Sequence, residues 1–130
     1  MLQDSQAFSG FSSKDIAKSK AFYRDILGLT VEDGEMGDTR IKLGSGAEVF
    51  VYPKEDHKPA TFTILNFPVD NIDAVVDELT AKGVQFEHYE GEYGTDEKGI
   101  ARGLAKGQGP DIAWFTDPDG NILSVLQTQP

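Results

Sequence analysis

The chain has 130 residues, enough for one compact domain or two small fused modules. Acidic residues outnumber basic ones 22 to 12, a formal charge of −10, so the surface repels phosphate backbones and anionic lipid; neither nucleic acid nor membrane is an expected partner. With no cysteine, no long apolar run and no basic-then-apolar segment in residues 1–10, disulfides and thiolate metal sites are excluded and a cytoplasmic location is expected.

In chain order, a strand-like stretch at 8–12 leads into a helix that begins at Asp15 and runs to Leu27, with Ile16, Ser19, Tyr23, Ile26 and Leu27 on one face. Ser13 or Asp15 caps its start, because a short oxygen-bearing side chain accepts an orphan backbone N–H. Gly28 ends it, as a left-handed C-terminal position favours. The alternating stretch 27–32 reads as a strand, and residues 39–43 and 48–52, joined by Gly44-Ser45-Gly46, read as a hairpin. A charged connector at 54–58 follows. The pattern then repeats. A strand at 61–69 leads into a helix from Asn71 that is capped by Asp70 or Asn71, with Ile72, Val75, Val76 and Leu79 on one face and Gly83 at its end. Residues 82–87 read as the matching strand. Further strands are expected around Ile100, at 112–115 and at 121–127, the last after the turn Asp117-Pro118-Asp119-Gly120-Asn121. First strands and helix starts match at an offset of about 56 and last strands at 74, so the second copy carries a glycine-rich insertion at about 90–110. That insertion reads as a lid over a ligand or as a surface loop.

Strings in both copies carry a resemblance. They are Lys14-Asp15, Ala21-Phe22-Tyr23 and Leu27-Gly28-Leu29, then Val69-Asp70-Asn71-Ile72, Lys82-Gly83-Val84 and Ala113-Trp114-Phe115 before the Asp117 turn. In this order and spacing, over about 8–127, the chain resembles the vicinal-oxygen-chelate superfamily, which includes glyoxalases, bleomycin-resistance proteins and dioxygenases. The resemblance implies an α+β fold of two βαβββ modules, about 7–53 and 60–128. Their curved mixed sheets would form a cup with helices outside, a small molecule would sit in the cup, and the chain would form a homodimer.

The resemblance also implies four inward positions where catalytic members hold a divalent cation on His, Gln or Glu. Carried over one at a time, these are Phe8, seven residues before Asp15; its repeat partner Ile64; Ser124, four residues after Gly120; and its partner Phe50. One hydroxyl among four positions cannot replace a hydration shell, so neither metal nor other cofactor is expected. His57 and His88 lack converging partners and read as solvated or structural. No nucleophile elbow or triad spacing occurs. Strand alternation puts Glu48 and Tyr52 on the face of Phe50, Asn66 on that of Ile64, and Trp114 opposite in sense to Phe115. The expected ligand-binding residues are therefore Phe8, Glu48, Phe50, Tyr52, Ile64, Asn66, Trp114 and Ser124, with Arg40 pairing with Glu48 or binding an anion. The favoured expectation is a metal-free protein that binds a small aromatic or amphipathic molecule. The alternatives are an enzyme with a displaced metal on Glu48, His88 and Asp96, and a non-catalytic interaction module whose cup is filled as core.

Overall fold

The computed structural model describes residues 1–130, which form two compact units, 1–58 and 59–130. The fold is α+β. Each unit holds one four-stranded mixed sheet with helical segments.

In the first unit, β1 (Ser9–Ser13) leads to α1 (Ile16–Ala21), then to β2 (Thr30–Asp33), β3 (Thr39–Lys42) and β4 (Glu48–Pro53). The sheet order is β1-β4-β3-β2, with β1 parallel to β4 and the other pairs antiparallel. Asp15 caps α1 by accepting from the Lys18 N–H. The expected continuous α-helix to Leu27 is not what forms. After Ala21 the chain widens into a π-helical turn, Phe22–Ile26, in which the Leu27 N–H reaches back to Phe22 O. Tyr23 is buried there, against the rings of Phe11 and Phe22. Gly28 then takes φ 74°, open to glycine without a Cβ penalty. Ile41, Val49 and Val51 fill the buried face of the sheet. Each such side chain removed from water contributes about 1.5–3 kcal/mol.

In the second unit, β5 (Thr63–Pro68) is parallel to β8 (Ile122–Gln127), and β7 (Asp111–Thr116) pairs antiparallel with both β8 and β6 (Ile100–Arg102). Helix α2 (Ile72–Ala81) is capped by Asn71, which accepts from the Ala74 N–H, and lies against β7 and β8. Its buried stripe is Ile72, Val76 and Leu79, while Leu123, Val125, Ala113 and Phe115 are buried on the sheet.

The second unit departs from the expected repeat at its edge. The stretch read as a strand at 82–87 is reduced to one bridge, Phe86 to Phe115, followed by a bond from the Glu87 N–H to Trp114 O. The chain then leaves β7, turns through 89–95 and returns as β6, which pairs with β7 from Asp111 to Ala113. A six-residue strand thus shares its edge between two short partners. Residues 90–110 thus contain β6, where a strand was expected around Ile100, and a single helical turn that was not expected, α3 (Gly103–Lys106).

Candidate ligand-binding site

In the first unit, alternation along β4 buries Val49 and Val51 and sends Glu48, Phe50 and Tyr52 to the opposite, open face. Phe50 and Tyr52, two residues apart, stack with ring centroids 5.7 Å apart. Phe8, just before β1, meets Phe50 edge-on at 6.3 Å. Phe8 is 71% exposed and Tyr52 38%, so this cluster faces solvent rather than core. Phe8, Phe50 and Glu48 line an open hollow of about 370 Å³ together with Arg40 and the β2–β3 turn.

Register decides the pairing on this face. Lys42 lies directly opposite Glu48, and Arg40 opposite Phe50. Accordingly Lys42, not Arg40, donates to the Glu48 carboxylate, and it also lies 3.5 Å from Glu32. The Lys42 hydrogen bond holds the Glu48 carboxyl below its usual range, and Glu48 raises the Lys42 ammonium in return. Of the two alternatives for Arg40, the ion pair with Glu48 does not form, although the Arg40 charge helps lower that carboxyl.

The β2–β3 turn was not anticipated as part of the site. Its Glu35, Met36 and Asp38 complete the hollow. Asp38 is buried and accepts from the Met36 N–H. A Cβ at Gly34 would lie 2.0 Å from Asp38 Oδ2, so only glycine leaves room for that carboxylate. The available signal was the turn composition of 33–38.

In the second unit, Ser124 lies opposite both Asn66 on β5 and Trp114 on β7. Ser124 is fully buried, and its hydroxyl donates to Asn66 Oδ1 at 2.5 Å. Ile64 sits where the register slips between Thr63 and Leu65, so it has no cross-strand partner of its own. Trp114 is half-buried, with Tyr89 edge-on at 5.6 Å, whereas Phe115 is fully buried against Phe86, as alternation predicts. Trp114 and Ile112 line a smaller hollow of about 140 Å³, walled by Tyr93, Arg102 and Lys106 of the insertion. Sequence reasoning named none of those three wall residues.

The four family metal positions do not suit a cation. Phe8, Phe50 and Ile64 bear no donor atom, and the Ser124 hydroxyl is buried with its proton committed to Asn66. The displaced set fares no better. Glu48 is tied to Lys42, and Asp96 accepts from Arg102 Nε and from the N–H groups of Lys98 and Ile100. Burial pushes the Asp96 carboxyl up, but those donors outweigh it and leave the group below its usual range. His88 lines the same open hollow as Asp77, Thr80 and Glu97, and no three His, Asp or Glu side chains converge there or elsewhere. His57 is half-buried, its Nδ1 2.5 Å from Ser12 Oγ. No helix is long and apolar enough to cross a membrane.

Comparison with known proteins agrees with this architecture. Over 126 residues the chain is 30% identical to the protein YaeR of Escherichia coli (strain K12), covering 87% of this chain and 88% of that one. Its fold is similar to that of the fosfomycin resistance protein FosX from Listeria monocytogenes, with TM-score 0.69, 13% identity, and 97% and 94% of the two chains covered. It is also similar to that of TnmS3, an antibiotic binding protein from Streptomyces sp. CB03234, with TM-score 0.65, 20% identity, and 98% and 99% covered. The family model for the glyoxalase, bleomycin resistance protein and dioxygenase superfamily matches residues 9–125, and the chain belongs to that superfamily.

Proposed function

We propose that this protein binds a small aromatic or amphipathic molecule, without a metal, on the open face of the first-unit sheet. The observation that carries this reading is the Phe8–Phe50–Tyr52 cluster. Three rings pack on one another on the solvent side of β4 while Val49 and Val51 supply the core behind them. Rings held together yet uncovered suit an aromatic ligand, which gains area burial plus edge or stacking contacts. Around the rings the hollow carries charged side chains, Glu48 held by Lys42 and, beside it, Glu35, Asp38 and Arg40. Aromatic rings with charged groups at their rim suit an amphipathic small molecule. Antibiotic binding, named for one protein of similar fold, supports capture of small molecules as a role.

The test is thermal unfolding against a panel of small aromatic compounds. A ligand at 100 times its Kd adds about 2.7 kcal/mol to stability. A compound that raises the midpoint of the wild type and fails to do so for Phe50→Ala is the expected result, since Phe50 faces the hollow and Val49 and Val51 keep the core. No shift across the panel, or an equal shift in Phe50→Ala, would refute the reading. Elemental analysis of protein purified without chelator tests the metal clause; a stoichiometric transition metal would sink it.

A further inference from the structure

The first-unit hollow holds charges of both signs that do not pair with each other. Lys42 neutralises Glu48 and takes a second contact from Glu32. Left over are Glu35 and Asp38 from the β2–β3 turn and Arg40 from β3, all lining the same space. No ion pair within 4 Å joins Arg40 to Glu35, Asp38 or Glu48, although Arg40 is near enough for its charge to help lower the Glu48 carboxyl. Asp38 is the more telling of the carboxylates. It is 6% exposed, and the Met36 N–H is the one donor to its side chain. An ionised carboxylate so far withdrawn from water normally takes several donors or a cation. Here an entire turn, including the space left at Gly34, is arranged to keep it beside the hollow.

Resting on the reading above, we infer that this hollow takes an aromatic zwitterion: a ring, an ammonium and a carboxylate on one small molecule. The ring lies against Phe8 and Phe50. The ammonium meets the Asp38 and Glu35 carboxylates, and the ligand carboxylate takes the planar donor fork of Arg40. A purely cationic ligand meets Arg40, and a purely anionic one meets Glu35 and Asp38, so each is disfavoured by like charge at one end. A zwitterion satisfies both ends and leaves the net charge of the hollow unchanged.

Calorimetric titration with four probes of matched ring size separates the cases: phenylalanine, phenethylamine, 3-phenylpropionate and benzyl alcohol. Phenylalanine is expected to bind at least about tenfold more tightly than any of the others, the equivalent of one additional charge-assisted bond. Arg40→Gln is expected to bring phenylalanine down to the level of phenethylamine. Glu35→Gln, on the exposed side of the turn and not demanding for folding, is expected to weaken phenylalanine and phenethylamine alike and to spare 3-phenylpropionate. If all four probes bind equally, with the signal lost in Phe50→Ala, the aromatic site stands and the charge assignment falls. If phenethylamine or 3-phenylpropionate binds best, the zwitterion assignment also falls. If none binds while other aromatic compounds raise the thermal midpoint through Phe50, the assignment falls alone; if those fail as well, both readings fall.

Discussion

Ser19 carries the one buried side-chain polar atom that lacks a hydrogen-bond partner. It sits on the inner face of α1, one turn before Tyr23, and both are buried. A hydroxyl withdrawn from water without a partner costs about 1–3 kcal/mol, and alanine is the better helix former. Ser19→Ala is therefore expected to raise the free energy of unfolding by about 0.5–1 kcal/mol, read from urea titration. A loss of stability would mean that the hydroxyl is satisfied, by a buried water for example. Phe50 illustrates the opposite relation between burial and role. It is next to two core valines, yet its ring lies on the other face, so its removal is expected to alter binding far more than folding.

Among the elements, the middle of the 90–110 segment is joined to α2 by ion pairs. Arg102 on β6 donates to both oxygens of Asp73 on α2 at 2.8 Å and to Asp96 Oδ2 at 2.9 Å, while Lys98 reaches Asp73 and Asp77. These bonds pin 96–102 to α2, while Tyr93 at the tip of the 89–95 turn remains 68% exposed. The bonds from Arg102 and Lys98 hold the Asp73 carboxyl well below the usual carboxylate range, and Asp73 raises the Arg102 guanidinium. A carboxyl with a depressed folded-state pKa contributes stability above its unfolded value near pH 4, and the contribution is lost as pH falls through the folded value. Arg102→Ala is expected to cost about 2 kcal/mol at pH 7, between an exposed pair and a buried one. That cost should stay level from pH 8 to 5 and shrink below about pH 4. A cost that persists unchanged to pH 2 would assign the loss to packing of the arginine stem instead.

At the level of the whole molecule, local signals were legible in the sequence and pairings were not. Asp15 and Asn71 cap their helices, Gly28 and Gly83 have positive φ, and Phe50 and Trp114 occupy the faces that alternation assigns them. Each of these is fixed by a few neighbouring residues. The choice of Lys42 over Arg40 as the partner of Glu48 depends on hairpin register, which composition does not specify. The truncation at Phe86 depends on competition between two segments for the same edge of β7. Asp38 escaped because hydrophobic periodicity is blind to turn side chains. Charge is the one property that sequence gives for the molecule entire, and it carries a prediction of its own. With a net −10, self-repulsion opposes the compact state. Against this stand ion pairs, most with at least one partner well exposed, and exposed pairs contribute little each. Raising ionic strength from 0.01 to 0.15 M shortens the screening length from about 30 to 8 Å, which weakens the long-range repulsion more than contacts at 3 Å. The midpoint of urea unfolding is therefore expected to rise with sodium chloride over that interval. A falling midpoint would show that the attractive pairs, the Arg102 cluster foremost, outweigh the excess of carboxylates.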